Sequence, residues 1–366
     1  MKKFFSLALI LGLFASLGFA QTQPKRTTQT ISKTPSTPAA KATAPASSAA
    51  AAINDELLAL LPASDVLAVV DINRLFNQLM PSLANLKTGG LDKLAKELAE
   101  FAQKTGIDPA KVNRAVAGFS MKGSQATGAI IVSGVDVTNP QIEAALKEFK
   151  AEFKTSDYQG KTIFNLLSKV KSPEAGPLSV KTDESALAAL GGQRFVFGDL
   201  SAVKNVIDIS SGAAKGGVTP ELAAALGETK ASALLRFALN IPDSLKAEAA
   251  DQGDLFKSVG AIKMVLGNLD MAADFSLSLD ALMRTASSKD ATELEDGLKG
   301  LVGLIRGIFG GGGSGDAKMD AIGQLLDQIK IGSKLNDVSL SISLPRATLD
   351  QLLKKPAPAP PAEKKP

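Results

Sequence analysis

Two stretches of the chain carry the same plan of apolar and polar positions. Between residues 114 and 153, Ala115, Ala117, Phe119 and Met121 recur with period two, which predicts a strand with one apolar face and a half-buried hairpin. Gly123-Ser124-Gln125 supplies the turn, and a second strand covers residues 128–133. Asn139 is placed to cap the next helix, with Pro140 in its first turn. Ile142, Ala145, Leu146, Phe149 and Phe153 then form one apolar stripe at helical spacing. The plan returns between residues 263 and 309. There Met271, Ala273, Phe275, Leu277 and Leu279 alternate with small or polar residues as a strand with one wet face. Asp290 and Glu293 make a capping box for a helix carrying Leu294, Leu298, Leu301, Val302, Ile305 and Phe309.

The same reading places a short helix at 54–61, a nearly continuous apolar strand at 66–72 and helices at 74–86 and 91–104. The apolar strand suits a central position in a sheet. Gly106 stops the last of these helices, and Asp108-Pro109 starts a further helical turn. A strand at 161–167 is entered through the Gln159-Gly160 turn, and a loop spans 168–182. A hairpin follows at 185–190 and 193–198, joined by Gly191-Gly192, although its first arm, SALAAL, also suits a helix. A helix at 201–209 closes the first half.

Thr219-Pro220 starts a short helix, an apolar strand covers 233–239, a helical stretch follows Pro242, and strands lie at 262–267 and 271–279. A helix at 319–329, a hairpin at 329–334 and 337–344, and a helix at 346–353 end the folded part. Both halves read strand, helix, hairpin, helix, hairpin, helix. The expected fold is α+β: two pseudo-repeated halves, residues 53–228 and 229–353, each an antiparallel or mixed sheet with helices on one face.

Composition changes the picture mainly by what it excludes. The chain has neither His nor Cys, which removes His-based triads, thiolate nucleophiles, the usual zinc ligand sets, c-type haem attachment and disulfides. Without Trp, and with Tyr158 as the single Tyr, aromatic platforms for sugars or bases have little to build on. The pI near 9.0 belongs to the ends: residues 1–52 hold six basic residues and no acid, and residues 354–366 hold four and one. Between them stand 31 Lys+Arg against 36 Asp+Glu, a net charge of −5, so a basic nucleic-acid-binding body is not expected.

Residues 1–20 have the form of a secretory signal peptide, with Lys2 and Lys3, an apolar run from Phe4 to Phe19, and Gly18-Phe19-Ala20 as a cleavage site. The competing reading is an uncleaved N-terminal anchor, against which stands a run shorter than the ~20 residues of a spanning helix. Residues 21–52, rich in Thr, Pro, Ala and Ser, read as a disordered linker whose Lys25, Arg26, Lys33 and Lys41 could touch an anionic envelope surface weakly. Residues 354–366 read as a Pro/Lys-rich disordered tail. The expected address is periplasmic or extracellular.

Candidate chemistry is sparse. Ser201 and Lys204 satisfy S-x-x-K, as do Ser168 and Lys171, and Lys104-Thr105-Gly106 gives a K-T-G, but its order and setting do not match the enzymes that use these motifs. Gly160-Lys161-Thr162 has the ending of a phosphate-binding loop, yet Thr155 stands where Gly is needed. Gly310, Gly312 and Gly315 satisfy G-x-G-x-x-G but read as a linker. Glu293, Glu295 and Asp296 suit the start of a helix better than a calcium loop. No catalytic, cofactor-binding or metal-ligating residue is assigned, and no cofactor is expected.

Leu61-Pro62-Ala63-Ser64-Asp65 before the first strand and Phe197-Gly198-Asp199 before a helix resemble a group of uncharacterised exported bacterial α+β proteins over residues 54–353. The resemblance implies a fold and an exported address, and no activity. The reading that follows is a non-catalytic envelope or secreted protein that binds or supports an envelope protein or component, with no nucleic acid and no metal. The alternatives are a carrier holding an apolar ligand or lipid between sheet and helices, and a Ser/Lys or carboxylate-based hydrolase.

Overall fold

The structure, a computed structural model, describes residues 55–81, 91–122, 125–167, 184–243, 246, 258–309 and 323–353. The signal segment, the linker, the tail, the loop at 168–182, the Gly123-Ser124 turn, most of the stretch after Pro242 and the Gly310, Gly312 and Gly315 run lie outside them. The fold is α+β, as the pattern predicts, with twelve strands among the described residues and antiparallel pairing within each unit. By contacts the chain divides into two compact units, Met1–Ala231 with Phe237–Leu245, and Ser232–Arg236 with Lys246–Pro366.

In the first unit the strands are β1 (Val66–Asp71), β2 (Arg114–Lys122), β3 (Gln125–Ser133), β4 (Phe153–Tyr158), β5 (Lys161–Leu166), β6 (Ser185–Ala189) and β7 (Arg194–Asp199). Their hydrogen-bonded order is β1-β2-β3-β7-β6-β5-β4. The helices are α1 (Leu91–Thr105), α2 (Asn139–Glu148), α3 (Leu200–Ser210) and α4 (Pro220–Gly227). β1 is flanked on both sides and buries Leu67, Ala68, Val69 and Val70 in succession, which fits a central strand. β2 is not half-buried as its period-two pattern predicts. Ala115, Val116 and Ala117 are all enclosed because β2 lies between β1 and β3 with both faces covered. SALAAL resolves as a strand, with Ala186 and Ala188 fully buried.

Several boundaries differ from expectation for local reasons. The helix at 54–61 is only a 3-10 turn at Leu58–Leu60, and the segment after Ile72–Arg74 widens into a π-helical turn at Leu75–Leu79. Thr138, not Asn139, is the cap of α2, with Gln141 Oε1 accepting from the Thr138 amide and hydroxyl at 2.9 and 3.0 Å. That helix stops at Glu148, short of Phe153. Lys150 adopts a left-handed φ of 55°, Ala151 N–H donates to the Leu146 carbonyl and Lys150 N–H to that of Lys147, which is a Schellman ending made without glycine. Phe153 therefore opens β4, its ring centroid 5.7 Å from that of Phe164.

The second unit holds β9 (Ile262–Met271), β10 (Leu277–Thr285), β11 (Lys330–Lys334) and β12 (Asp337–Leu344), in the order β9-β10-β12-β11. The unit boundary falls within β8 (Leu235–Asn240). The helices are α5 (Ser288–Phe309) and α6 (Arg346–Leu353), and of the expected helix at 319–329 the described part is helical over 323–327. The expected strand at 271–279 is interrupted by a hairpin turn at 272–276, with Met271 ending β9 and Leu277 opening β10. Ala272 N–H and the Ser276 carbonyl close it, Phe275 takes a φ of 66°, and Asp274 Oδ1 accepts from the Ser276 amide and hydroxyl at 2.9 and 2.7 Å. Those two bonds, the hydroxyl first, hold the Asp274 carboxyl below its ordinary range. The cap of α5 is Ser287, which exchanges bonds with Asp290, in place of an Asp290/Glu293 box. The β11–β12 hairpin and α6 fall where the pattern places them. The pseudo-repeat is not confirmed: among the described residues β4 and β5 have no counterpart in the second unit.

Candidate functional site

Of the residues that sequence offers as chemistry, Lys104, Lys161, Lys204, Glu293 and Glu295 are engaged in local structure. Ser201 is exposed in the first turn of α3, and no hydrogen bond among the described residues joins it to Lys204. Lys204 Nζ stands 5.3 Å from the centroid of the Tyr158 ring. The Tyr158 hydroxyl donates to Asp208 Oδ2 at 2.9 Å, and this bond to a carboxylate raises the phenol above its ordinary pKa. Ser168 and Lys171 lie outside the described residues.

Lys104-Thr105-Gly106 ends α1. Lys104 Nζ meets Glu148 Oε1 at 2.7 Å, a contact that raises the ammonium pKa, and the buried Thr105 hydroxyl donates back to the Phe101 carbonyl at 2.8 Å. Gly160-Lys161-Thr162 is the tip of the β4–β5 hairpin, where Gln159 and Gly160 take φ of 50° and 71°. Lys161 Nζ donates to the Leu190 carbonyl at 3.0 Å, so it is held on the protein's own backbone. Glu293 faces Lys289 at 3.6 Å. Glu295 accepts from Lys299 at 2.6 Å and from the Ser333 hydroxyl, and the Lys299 contact first holds its carboxyl low. Among the described residues no group of three or more acidic side chains is arranged to hold a metal ion.

The two motifs behind the family resemblance are structural. Asp65 Oδ2 accepts from the Ser120 hydroxyl and the Met121 amide at 3.2 and 2.8 Å, pinning the entry of β1 to β2. Asp199, 8% exposed, precedes α3 and reaches across to the Gly128 amide at 2.7 Å. A Cβ on Gly128 would stand 2.1 Å from the Gly118 carbonyl oxygen, and one on Gly198 would stand 2.2 Å from that of Gly128. Only glycine lets these strands approach so closely.

The first unit also carries an open polar cleft of about 660 Å³ that sequence reasoning did not single out. Strand register builds it. Asp71 pairs with Arg114, Arg114 with Ser133, and Ser133 with Arg194, so four polar residues form one row across β1, β2, β3 and β7. Residues directly opposite one another share a face, and at about 4.8 Å per strand the two arginine backbones stand about 10 Å apart. Arg114 is engaged: its Nη1 and Nη2 donate to Asp55 Oδ2 and Oδ1, both at 2.8 Å. Arg194 is not so engaged, and its Nε is enclosed without a hydrogen-bond partner. The turn before it holds Gly191, Gly192 and Gln193 at φ of 80°, 59° and 59°, and the Gln193 carbonyl accepts from the Gly134 amide at 3.0 Å. The only sequence trace of the cleft is an arginine at the first position of each of two strands, one preceded by Gly-Gly-Gln.

Comparison with protein families finds no match, and comparison with curated proteins finds none. Among solved structures the chain is similar to TP0453, a Treponema protein. Crystal form III of TP0453 is 8% identical at a TM-score of 0.43, with 82% of this chain and 97% of that chain covered. Crystal form I is 6% identical at 0.42, covering 82% and 96%.

Proposed function

We propose that this protein is an exported, non-catalytic binding protein of the cell envelope, and that its ligand contacts centre on the cleft of the first unit. The observation that carries the reading is the contrast just described. Among the described residues Lys104, Lys161 and Lys204 each engage a group of their own fold and no hydrogen bond joins Ser201 to Lys204, whereas Arg114, Ser133 and Arg194 line one open cleft of ligand-sized volume. The export half of the reading is supported by residues 1–20 and by the basic linker behind them. No helix among the described residues is long and apolar enough to cross a membrane. The cleft's lining is polar, which favours a polar ligand over the apolar cargo of a carrier.

Two measurements test this. Fractionation of cells expressing the full chain should recover a product shortened by the leader after Ala20 outside the cytoplasm, and retention of the intact chain inside would reject export. The exported product, mixed with the small-molecule fraction of envelope extract, should retain a compound without converting it. Turnover of any envelope compound, abolished by Ser201→Ala or Lys204→Ala, would establish the hydrolase instead.

A further inference from the structure

We propose that the cleft takes its ligand through a carboxylate group, held by the Arg194 guanidinium beside the Ser133 hydroxyl. This rests on the reading of the cleft as a ligand site and adds the chemistry of what enters it.

A guanidinium has five donors, and a buried donor without an acceptor is costly enough that native proteins rarely leave one. Arg194 Nε is such a donor. Its neighbour in the same row shows what satisfies an arginine at this end of the sheet, since Arg114 holds the Asp55 carboxylate with both terminal nitrogens at 2.8 Å. The backbone beneath Arg194 is kept bare. A Cβ on Gly192 would stand 3.3 Å from Arg194 Nη2, and the left-handed φ of 59° there also disfavours a side chain. Ser133, between the two arginines, gives its hydroxyl only a long 3.4 Å contact to the Arg114 carbonyl. That bond is easily exchanged for a better acceptor. A carboxylate arriving from the open side meets the terminal nitrogens first, and rotation about the Cδ–Nε bond can then turn the Nε–H toward it.

Charge narrows the class further. The lining sets Arg114 and Arg194 against Asp55 and Glu56, so the cleft is balanced and has no surplus for a dianion such as phosphate. With Asp55 paired to Arg114, one guanidinium and the exposed Glu56 remain. A small zwitterion, with a carboxylate for Arg194 and an ammonium for Glu56, matches this pair. The volume of about 660 Å³ accommodates a molecule of dipeptide size.

The test follows the side-chain Nε–H signals of the eight arginines of the exported full chain by NMR while glycylglycine, its C-terminal amide or inorganic phosphate is added. Glycylglycine should move the Arg194 signal saturably. The amide should bind at least about tenfold more weakly, since one charge-assisted bond is lost, and phosphate should bind more weakly too. Arg194→Gln should remove the response, Arg194→Lys should weaken it, and Arg346→Gln, in the second unit, should leave it unchanged. Equal binding of acid and amide, or tighter phosphate binding, overturns the carboxylate assignment. A silent Arg194 signal up to about 20 mM probe, well beyond weak specific affinities, overturns it as well. Envelope extract separates the two failures: cleft shifts with extract but not with glycylglycine leave the ligand site standing, and no shift with either removes both.

Discussion

The hairpin β2–β3 in the first unit and the hairpin β9–β10 in the second are written on one plan and buried to different degrees. β2 and β3 enclose Ala115, Val116, Ala117, Ala129, Ile130 and Ile131 without a break, using small residues where neighbouring strands press close. β10 encloses only Met283 and Thr285 along its length. On its polar side it meets Asn268 and Asp270 of β9, and on its other flank it meets β12 with its serine alternation. The difference teaches where each kind of surface serves. A strand packed on both faces has no side chain to spare, so β2 and β7 carry their charged side chains at their ends, where Arg114 and Arg194 lie.

The comparison is broken most severely at the glycine contact. Gly128→Ala should cost about 3 kcal/mol or more, because its Cβ would meet backbone at 2.1 Å and strands must separate. Gly332→Ala in β11, whose Cβ would meet only Ser339 Oγ at 3.8 Å, should change stability by no more than about 0.5 kcal/mol. Urea denaturation of both variants checks the pair, and equal losses would remove the distinction between the units. Leu294→Ala in α5, at 1% exposure, should cost about 2–4 kcal/mol, whereas Leu304→Ser on the same helix, at 54%, should be nearly neutral. Asp55→Asn, which leaves the half-exposed Arg114 without its charged partner, should cost about 1 kcal/mol.

The smallest effect is a titration. Tyr158 is the single tyrosine in a chain without tryptophan, so phenolate absorbance reports it alone. Its midpoint should lie above the ordinary tyrosine range and fall back in Asp208→Asn. The sign follows from the raised folded pKa. The stabilising contribution is complete below the unfolded phenol's pKa and is lost as pH rises through the folded one. A midpoint unmoved by Asp208→Asn would discard the assigned cause.

Legibility followed the same division. β12 and α6 were readable because Val338, Leu340, Ile342 and Leu344 alternate with serines on a strand with one wet face, and because Pro345 precedes the helix. Thr219-Pro220 marked α4 for a similar reason, its hydroxyl accepting from the Leu222 amide. The alternation around Phe275 misled because two strand ends and a turn can share a period of two. Nothing in composition says that Asp274 will fold back onto Ser276. Phe153 misled because a Schellman ending at Lys150 lacks its usual glycine. The cleft was illegible for a deeper reason. Asp55, Arg114, Ser133 and Arg194 are far apart in the chain, and only strand register puts three of them in a row.

The most direct test of the account is a backbone amide shift map of the exported chain titrated with the small-molecule fraction of envelope extract. Saturable shifts at Asn113, Arg114, Ser133, Gly134, Gln193 and Arg194, with the second unit silent, are the predicted result. Shifts centred in the second unit, or none in the first, would contradict it.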